Sequence, residues 1–211
     1  RSRQRERIAR FVQLEYAEKY ARMSGDRTID FIDTYSAGYR RAVFLNNGGF
    51  DEQFPNASVE DQEFSFRLAK QGHRLVFAPR AMVYHLHVTN LAAYAKRKFN
   101  IGYWKVHVHL RHPDKVWRDS HTPASLKLQV VLLFAMSICS VISIVFPSGM
   151  VGVLACLLTF AVSAVPLCLF VWRRDADIAL IAPGMIVWRA ATLNVGLVAG
   201  AFGEMWSSIT R

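Results

Sequence analysis

Cysteine is scarce in this 211-residue chain: Cys139, Cys156 and Cys168 are the three present, and all lie in apolar runs. Their spacing excludes a zinc site or a disulfide framework and leaves them as small lipid- or core-facing residues. An apolar core is missing behind the charges of Arg1 to Arg10, so this stretch does not read as a signal peptide. The first residue is not Met, so a piece of something longer is expected. Acidic residues are outnumbered, 16 against 26 Lys and Arg, for a net charge of +10. Such an excess suits nucleic acid, an anionic membrane surface or a phosphorylated substrate. No nucleic-acid-binding motif accompanies the charge, so no nucleic-acid partner is expected.

Charge is also missing from long stretches of the second half. Residues 126–211 hold 5 Lys and Arg and 3 acids, whereas residues 1–125 hold 21 and 13. The chain therefore divides into a polar, basic part (1–125) and a membrane region (126–211). Leu128 to Phe146 and Met150 to Trp172 carry no charge, and each meets the roughly 20 residues needed to cross a bilayer. Only Pro147-Ser148-Gly149 separates them, so spans at about 128–146 and 150–172 form a helical hairpin. Pro166 is a candidate kink in the second span. Lys115, Arg118 and Lys127 precede the hairpin and Arg173-Arg174 follow it, which places both ends on the cytoplasmic side. A third apolar helix, about 178–203, carries Arg189 near its middle. It is expected to be an interfacial or re-entrant helix with Arg189 near lipid phosphate; the alternative is a packed third span with Arg189 paired or snorkelling. Gly196, Gly200 and Gly203 suit close helix packing.

In the first part, Ile8, Phe11, Val12, Tyr16, Tyr20 and Met23 recur at helical spacing over residues 4–23, and Ser24-Gly25-Asp26 ends the helix. Residues 28–35, 74–78 and 81–88 read as strands. A short helix begins at Arg40-Arg41 and ends in the turn Asn46-Asn47-Gly48-Gly49. Ser58-x-x-Asp61 matches a helix-capping pattern at the start of a helix that runs to Gly72. Capping alone explains an acid at Asp61. In the strand 81–88, His85 and His87 share a face about 6.5–7 Å apart, a pair able to bind a metal although ordinary strand histidines are commoner. Thr89 or Asn90 starts a further helix. The period leaves 105–110 undecided, and His107, His109 and His112 are expected at surfaces or interfaces.

Tyr39-Arg40-Arg41, Gly48-Gly49-Phe50-Asp51-Glu52, Glu60-Asp61, Arg67-Leu68, Gly72 and Pro79-x-Ala81-x-Val83-x-His85, in this order and spacing, resemble glycosyltransferase family 2. The resemblance covers roughly Phe31 to Pro113 and implies an α/β fold, a partial GT-A (Rossmann-like) catalytic domain in its acceptor- and base-bearing half. It implies an inverting transfer in which Asp61, with Glu60 beside it, is the catalytic base. Arg40, Arg41, Gly49 and Trp104 become candidates for acceptor or substrate binding. A divalent metal (Mg or Mn) would neutralise the leaving diphosphate, with His85, and His87 in reserve, as ligands and its main carboxylates outside this chain.

Two departures qualify the resemblance. The donor-binding half with its Asp-x-Asp motif is absent, and Asp30 and Asp33 sit too close to the acceptor half to replace it. The Gln-x-x-Arg-Trp motif of processive synthases is replaced by Lys98-Phe99-Asn100-Ile101-Gly102-Tyr103-Trp104, which points to single-sugar transfer. The expectation is a multi-pass inner-membrane glycosyltransferase with a cytoplasmic catalytic part, inactive as this chain alone. It would move a sugar from a nucleotide-diphosphate sugar to a lipid-linked or envelope glycan acceptor. The alternative is a non-catalytic truncated relative serving as a membrane assembly partner.

Overall fold

Helices account for nearly all the regular structure. The structure, a computed structural model, describes residues 1–25, 28–55 and 57–210; Asp26, expected to help end the first helix, lies outside them. In chain order the helices are α1 (Arg7–Met23), α2 (Arg41–Asn46), α3 (Glu60–Lys70), α4 (Leu91–Arg111), α5 (Ala124–Ser143), α6 (Gly149–Trp172), α7 (Ala176–Ala179) and α8 (Ala182–Ile209), with 3-10 turns at Thr34–Ser36 and Pro113–Lys115. α4 starts at Asn90, whose side chain accepts a hydrogen bond from the Ala93 N–H at 2.8 Å. It continues through 105–110, the stretch that periodicity left undecided.

The expected α/β architecture is overturned. Among the described residues there is no strand, and the nearest approach to a sheet is one isolated antiparallel bridge between Ile29 and Leu75. β-branched and aromatic residues make a segment fit for a pleated surface, but a ladder also needs a lateral neighbour in register. Here side chains and single backbone contacts take that place. The Asp30 N–H donates to Ser120 Oγ at 3.1 Å and the Ile32 N–H to Ser65 Oγ at 3.1 Å. In the extended segment 81–88, Val83 and His85 bond to the backbone of Arg1, and the Gln4 amide both donates to the His87 carbonyl and accepts from its N–H. A side-chain amide thus does the work of a neighbouring peptide. Alternation survives only over residues 84–87, where His85 and His87 are half-buried and buried and Tyr84 and Leu86 exposed; Ala81, Met82 and Val83 are all exposed.

Three helices, α5, α6 and α8, are long and apolar enough to cross a membrane. They are not equivalent. In their most apolar windows α5 and α6 are only 6% and 11% buried by protein, whereas α8 is 39% buried. α8 is covered by α4, and the contact is built from glycines. A Cβ on Gly102 of α4 would strike the Leu193 carbonyl, and one on Gly196 of α8 would strike the Phe99 carbonyl. Backbones approach this closely only where side chains are missing. α1 joins the same body: Phe11 and Val12 pack with Val171, Ile178 and Ile186 in one apolar cluster. Arg10 of α1 also clasps Asp175 at 2.6 Å and Asp177 at 2.9 Å, beside the end of α6. Arg189 is turned inward, 4% exposed, bonding to Glu15 of α1 and Gln129 of α5. It is paired and does not face lipid.

Two smaller clusters hold α3. One joins Met23, Ile29, Phe64, Leu68 and Leu75; the other joins Phe31, Phe54, Val59, Phe66 and Val108. Residues 29–34 run between them, which brings that segment against the first turn of α3.

Candidate active site

α3 opens at Glu60 with Val59 as its N-cap, and no side chain caps it. The capping box expected between Ser58 and Asp61 does not form. The Ser58 hydroxyl donates to the Asn100 carbonyl at 3.3 Å, and its N–H donates to the Glu60 carboxylate at 2.6 Å. The Asp61 carboxylate turns instead to the neighbouring segment. It accepts from the Thr34 N–H at 3.2 Å and the Thr34 hydroxyl at 3.4 Å. Ser65, one helical turn on, completes the stitch: its hydroxyl donates to the Asp61 carbonyl at 2.6 Å and accepts from the Ile32 N–H.

Burial raises the Asp61 carboxyl, the neighbouring charge of Asp33 raises it further, and Glu60 adds to this; the Thr34 N–H works the other way. The outcome is a carboxyl pushed up to about 7. A helix N-terminus favours the ionised form, but desolvation and a like charge outweigh that dipole at Asp61.

Asp33 is the opposite case. Its burial is more than offset by Lys19 and His121, which hold its carboxyl down at about 2. Lys19 Nζ donates to it at 2.8 and 3.1 Å and the Tyr20 hydroxyl at 2.6 Å. Two carboxylates sit on one short structural path with their proton affinities driven apart, the arrangement that separates chemical roles at acid-base sites.

Beside them lies a cavity of about 780 Å³. Tyr16 and Tyr20 of α1, Thr34 and Tyr35 of the 3-10 turn, and His85 and His87 are among its lining residues. Asp61 does not itself line the cavity; it bonds to Thr34, which does. His85 packs on Tyr35 with ring centroids 4.6 Å apart, and His87 stacks on Tyr16 at 5.4 Å. His87 Nε2 donates to Gln13 Oε1 at 3.1 Å, while its Nδ1 is buried without a partner among the described residues. Burial lowers both imidazoles, His87 to about 4, and the positive charge of Arg97 contributes to each.

The histidine rings lie 5.1 Å apart. They fit a divalent ion as contributors and not as a complete site. Neutral imidazole is the ligating form, but no group of three His, Cys, Asp or Glu able to hold a metal forms among the described residues.

The other expected site residues stay apart from this cavity. Arg40 and Arg41 are exposed at the start of α2. Gly49 is a buried turn residue with φ of +65°, its carbonyl accepting from Arg67 Nη2 at 2.8 Å; a Cβ there would meet the Phe44 ring at 3.0 Å. Trp104 packs edge-on against Phe54 at 5.5 Å. The Glu60 carboxylate is occupied by the Ser58 N–H.

Lys19 and Thr34 were missed by sequence reasoning, and Asp33 was weighed only as a substitute for the Asp-x-Asp motif. One signal was available: Lys19 falls on the apolar stripe of α1, between Tyr16, Tyr20 and Met23, and is 6% exposed. A charge on that face needs a partner.

Residues 1–103 match a family model described as glycosyltransferase like family 2. Over 102 residues the chain is 31% identical to the pre-mycofactocin glycosyltransferases of two Mycobacterium tuberculosis strains, CDC 1551 / Oshkosh and ATCC 25618 / H37Rv. That stretch is 48% of this chain and spans only 21% of the length of those relatives. No solved structure matches. The family match and these relatives together support a glycosyltransferase family 2 assignment for residues 1–103.

Proposed function

We propose that this chain is the acceptor- and base-bearing part of a membrane-anchored inverting glycosyltransferase that uses a nucleotide-diphosphate sugar. The observation that carries the reading is the placing of Asp61: its carboxylate is bonded to Thr34, a residue that lines the cavity, within the segment that matches family 2, and burial and the charge of Asp33 push it up to about 7. A general base works best with a proton affinity near the operating pH. In the reaction Asp61 accepts the proton of an acceptor hydroxyl. The freed oxygen forms a bond to the anomeric carbon from the face opposite the leaving group, and the bond to the nucleotide diphosphate breaks.

A divalent ion, held mainly by carboxylates outside this chain, would neutralise the departing diphosphate, and His85 is the ligand we assign to it here. The apolar helices support a membrane location for the site, and with it a lipid-linked or envelope glycan acceptor. Sugar transfer from radiolabelled nucleotide-diphosphate sugars, measured in membranes expressing the enzyme with and without Asp61→Asn, tests the reading. Loss of transfer with the protein still folded is expected; near-normal transfer removes Asp61 as base.

A further inference from the structure

The clamp on Asp33 explains more than the packing of one buried acid. Its two α1 partners, Lys19 and Tyr20, come from a helix that also packs on the membrane region. Lys19 is itself caged: its Nζ lies 4.3 Å from the Tyr16 ring centroid and donates to His121 Nε2 at 2.7 Å. The residue next to Asp33 is Thr34, whose N–H and hydroxyl grip Asp61. The Asp33 carbonyl accepts from the Ser36 N–H at 3.3 Å and closes the 3-10 turn that presents Thr34. The path from α1 to the candidate base therefore runs Lys19, Asp33, Thr34, Asp61, with each link a hydrogen bond or a peptide neighbour.

We propose that Asp33, clamped by Lys19 and Tyr20, is the positioning residue for Asp61: it fixes the turn that holds the carboxylate and sets a like charge beside it. The assignment of a catalytic purpose rests on Asp61 being the base, but the coupling itself is a property of the folded chain. The groups facing Asp61 are Asp33, Glu60 of its own helix, Lys19 and Tyr16 of α1, and the tyrosines Tyr35 and Tyr39. Burial raises all three tyrosines above their ordinary range, so they stay neutral while Asp61 titrates.

The test needs no substrate. The full chain, labelled with 13C-aspartate and placed in nanodiscs, is titrated by NMR, and the Asp61 signal is assigned through Asp61→Asn. In the native chain the Asp61 midpoint is expected near 7. Asp33→Asn removes the like charge and should lower that midpoint by about one pH unit or more. Lys19→Gln removes a cation while leaving Asp33 ionisable, and should raise it. Opposite displacements cannot come from general loosening of the fold, which would move both variants the same way. An Asp61 midpoint in the ordinary carboxylate range in the native chain overturns the proposal, even if neither variant folds. So does an unmoved midpoint in folded Asp33→Asn, or the same direction of shift in both variants. If the displacements occur but Asp61→Asn retains transfer, the coupling stands and the base assignment fails.

Discussion

The Glu15 carboxylate of α1 accepts a hydrogen bond from the Arg189 guanidinium of α8 at 2.8 Å, across 174 residues of sequence and away from solvent. Tyr94 and Lys98 of α4 bond to the same carboxylate, and Gln129 of α5 takes the other arm of Arg189. One acid thus fastens the family 2 segment to the apolar helices. Burial alone would raise Glu15, but Lys98 and Arg189 bring it below the usual glutamate range.

Removing one partner of this buried pair should destabilise strongly. Glu15→Gln leaves Arg189 uncompensated, for an expected loss of about 3–5 kcal/mol, measured by denaturant unfolding in detergent. Glu15→Gln with Arg189→Met should recover much of it. The pH dependence has a definite sign. A carboxyl whose folded affinity for protons is depressed stabilises above its unfolded value, ordinarily about 4.5, and that stability is lost as pH falls through the lower folded value. An unfolding midpoint that Glu15→Gln leaves unchanged at pH 7 contradicts this.

Asp61 should behave oppositely in stability and be indispensable in turnover. Its proton affinity is raised on folding, so the stabilising contribution is present below about 3.8 and lost as pH rises through about 7. At pH 8 Asp61→Asn should therefore melt above the native protein, and at pH 4 the difference should shrink. Transfer should fall by about 10²–10⁴-fold. In the native enzyme the rate should rise through pH 7 as the base ionises; a flat profile from pH 5 to 8 argues against Asp61.

The two histidines should separate by assay. His85→Ala removes a ring that lines the cavity and makes no side-chain hydrogen bond among the described residues, and is expected to weaken divalent-metal activation by about 10–100-fold with little change in unfolding. His87→Ala removes a ring stacked on Tyr16 and bonded to Gln13, so its main effect should be on stability. An unchanged metal titration in His85→Ala takes that residue out of the site.

Gly196→Leu should disrupt the α4–α8 contact, because its side chain would start inside the Phe99 carbonyl. Overpacking of this kind costs about 1–3 kcal/mol or more. Gly184→Leu on the same helix, where nothing lies within 4 Å, serves as the control. Equal unfolding midpoints for the two variants would show that the close approach is not needed.

The helices of this chain are largely local information. Apolar residues at helical spacing, an Asn at the cap, glycine turns and long uncharged runs mark α1, α3, α4, α5 and α6, because those patterns report which face is buried and where hydrogen bonding must stop. The order of short motifs around Asp61 is what made it the candidate base. The α/β reading failed because strand-forming residues do not announce whether a neighbour will pair with them; in 28–35 and 81–88 side chains and Arg1 took the backbone bonds instead. The pairing of Arg189 with Glu15, the turn of Asp61 away from its cap to Thr34, and the placement of Asp33 beside it are relations between distant segments. They follow from which surfaces meet, and the resulting burial and charge, not residue type, decide how readily Asp61 gives up its proton.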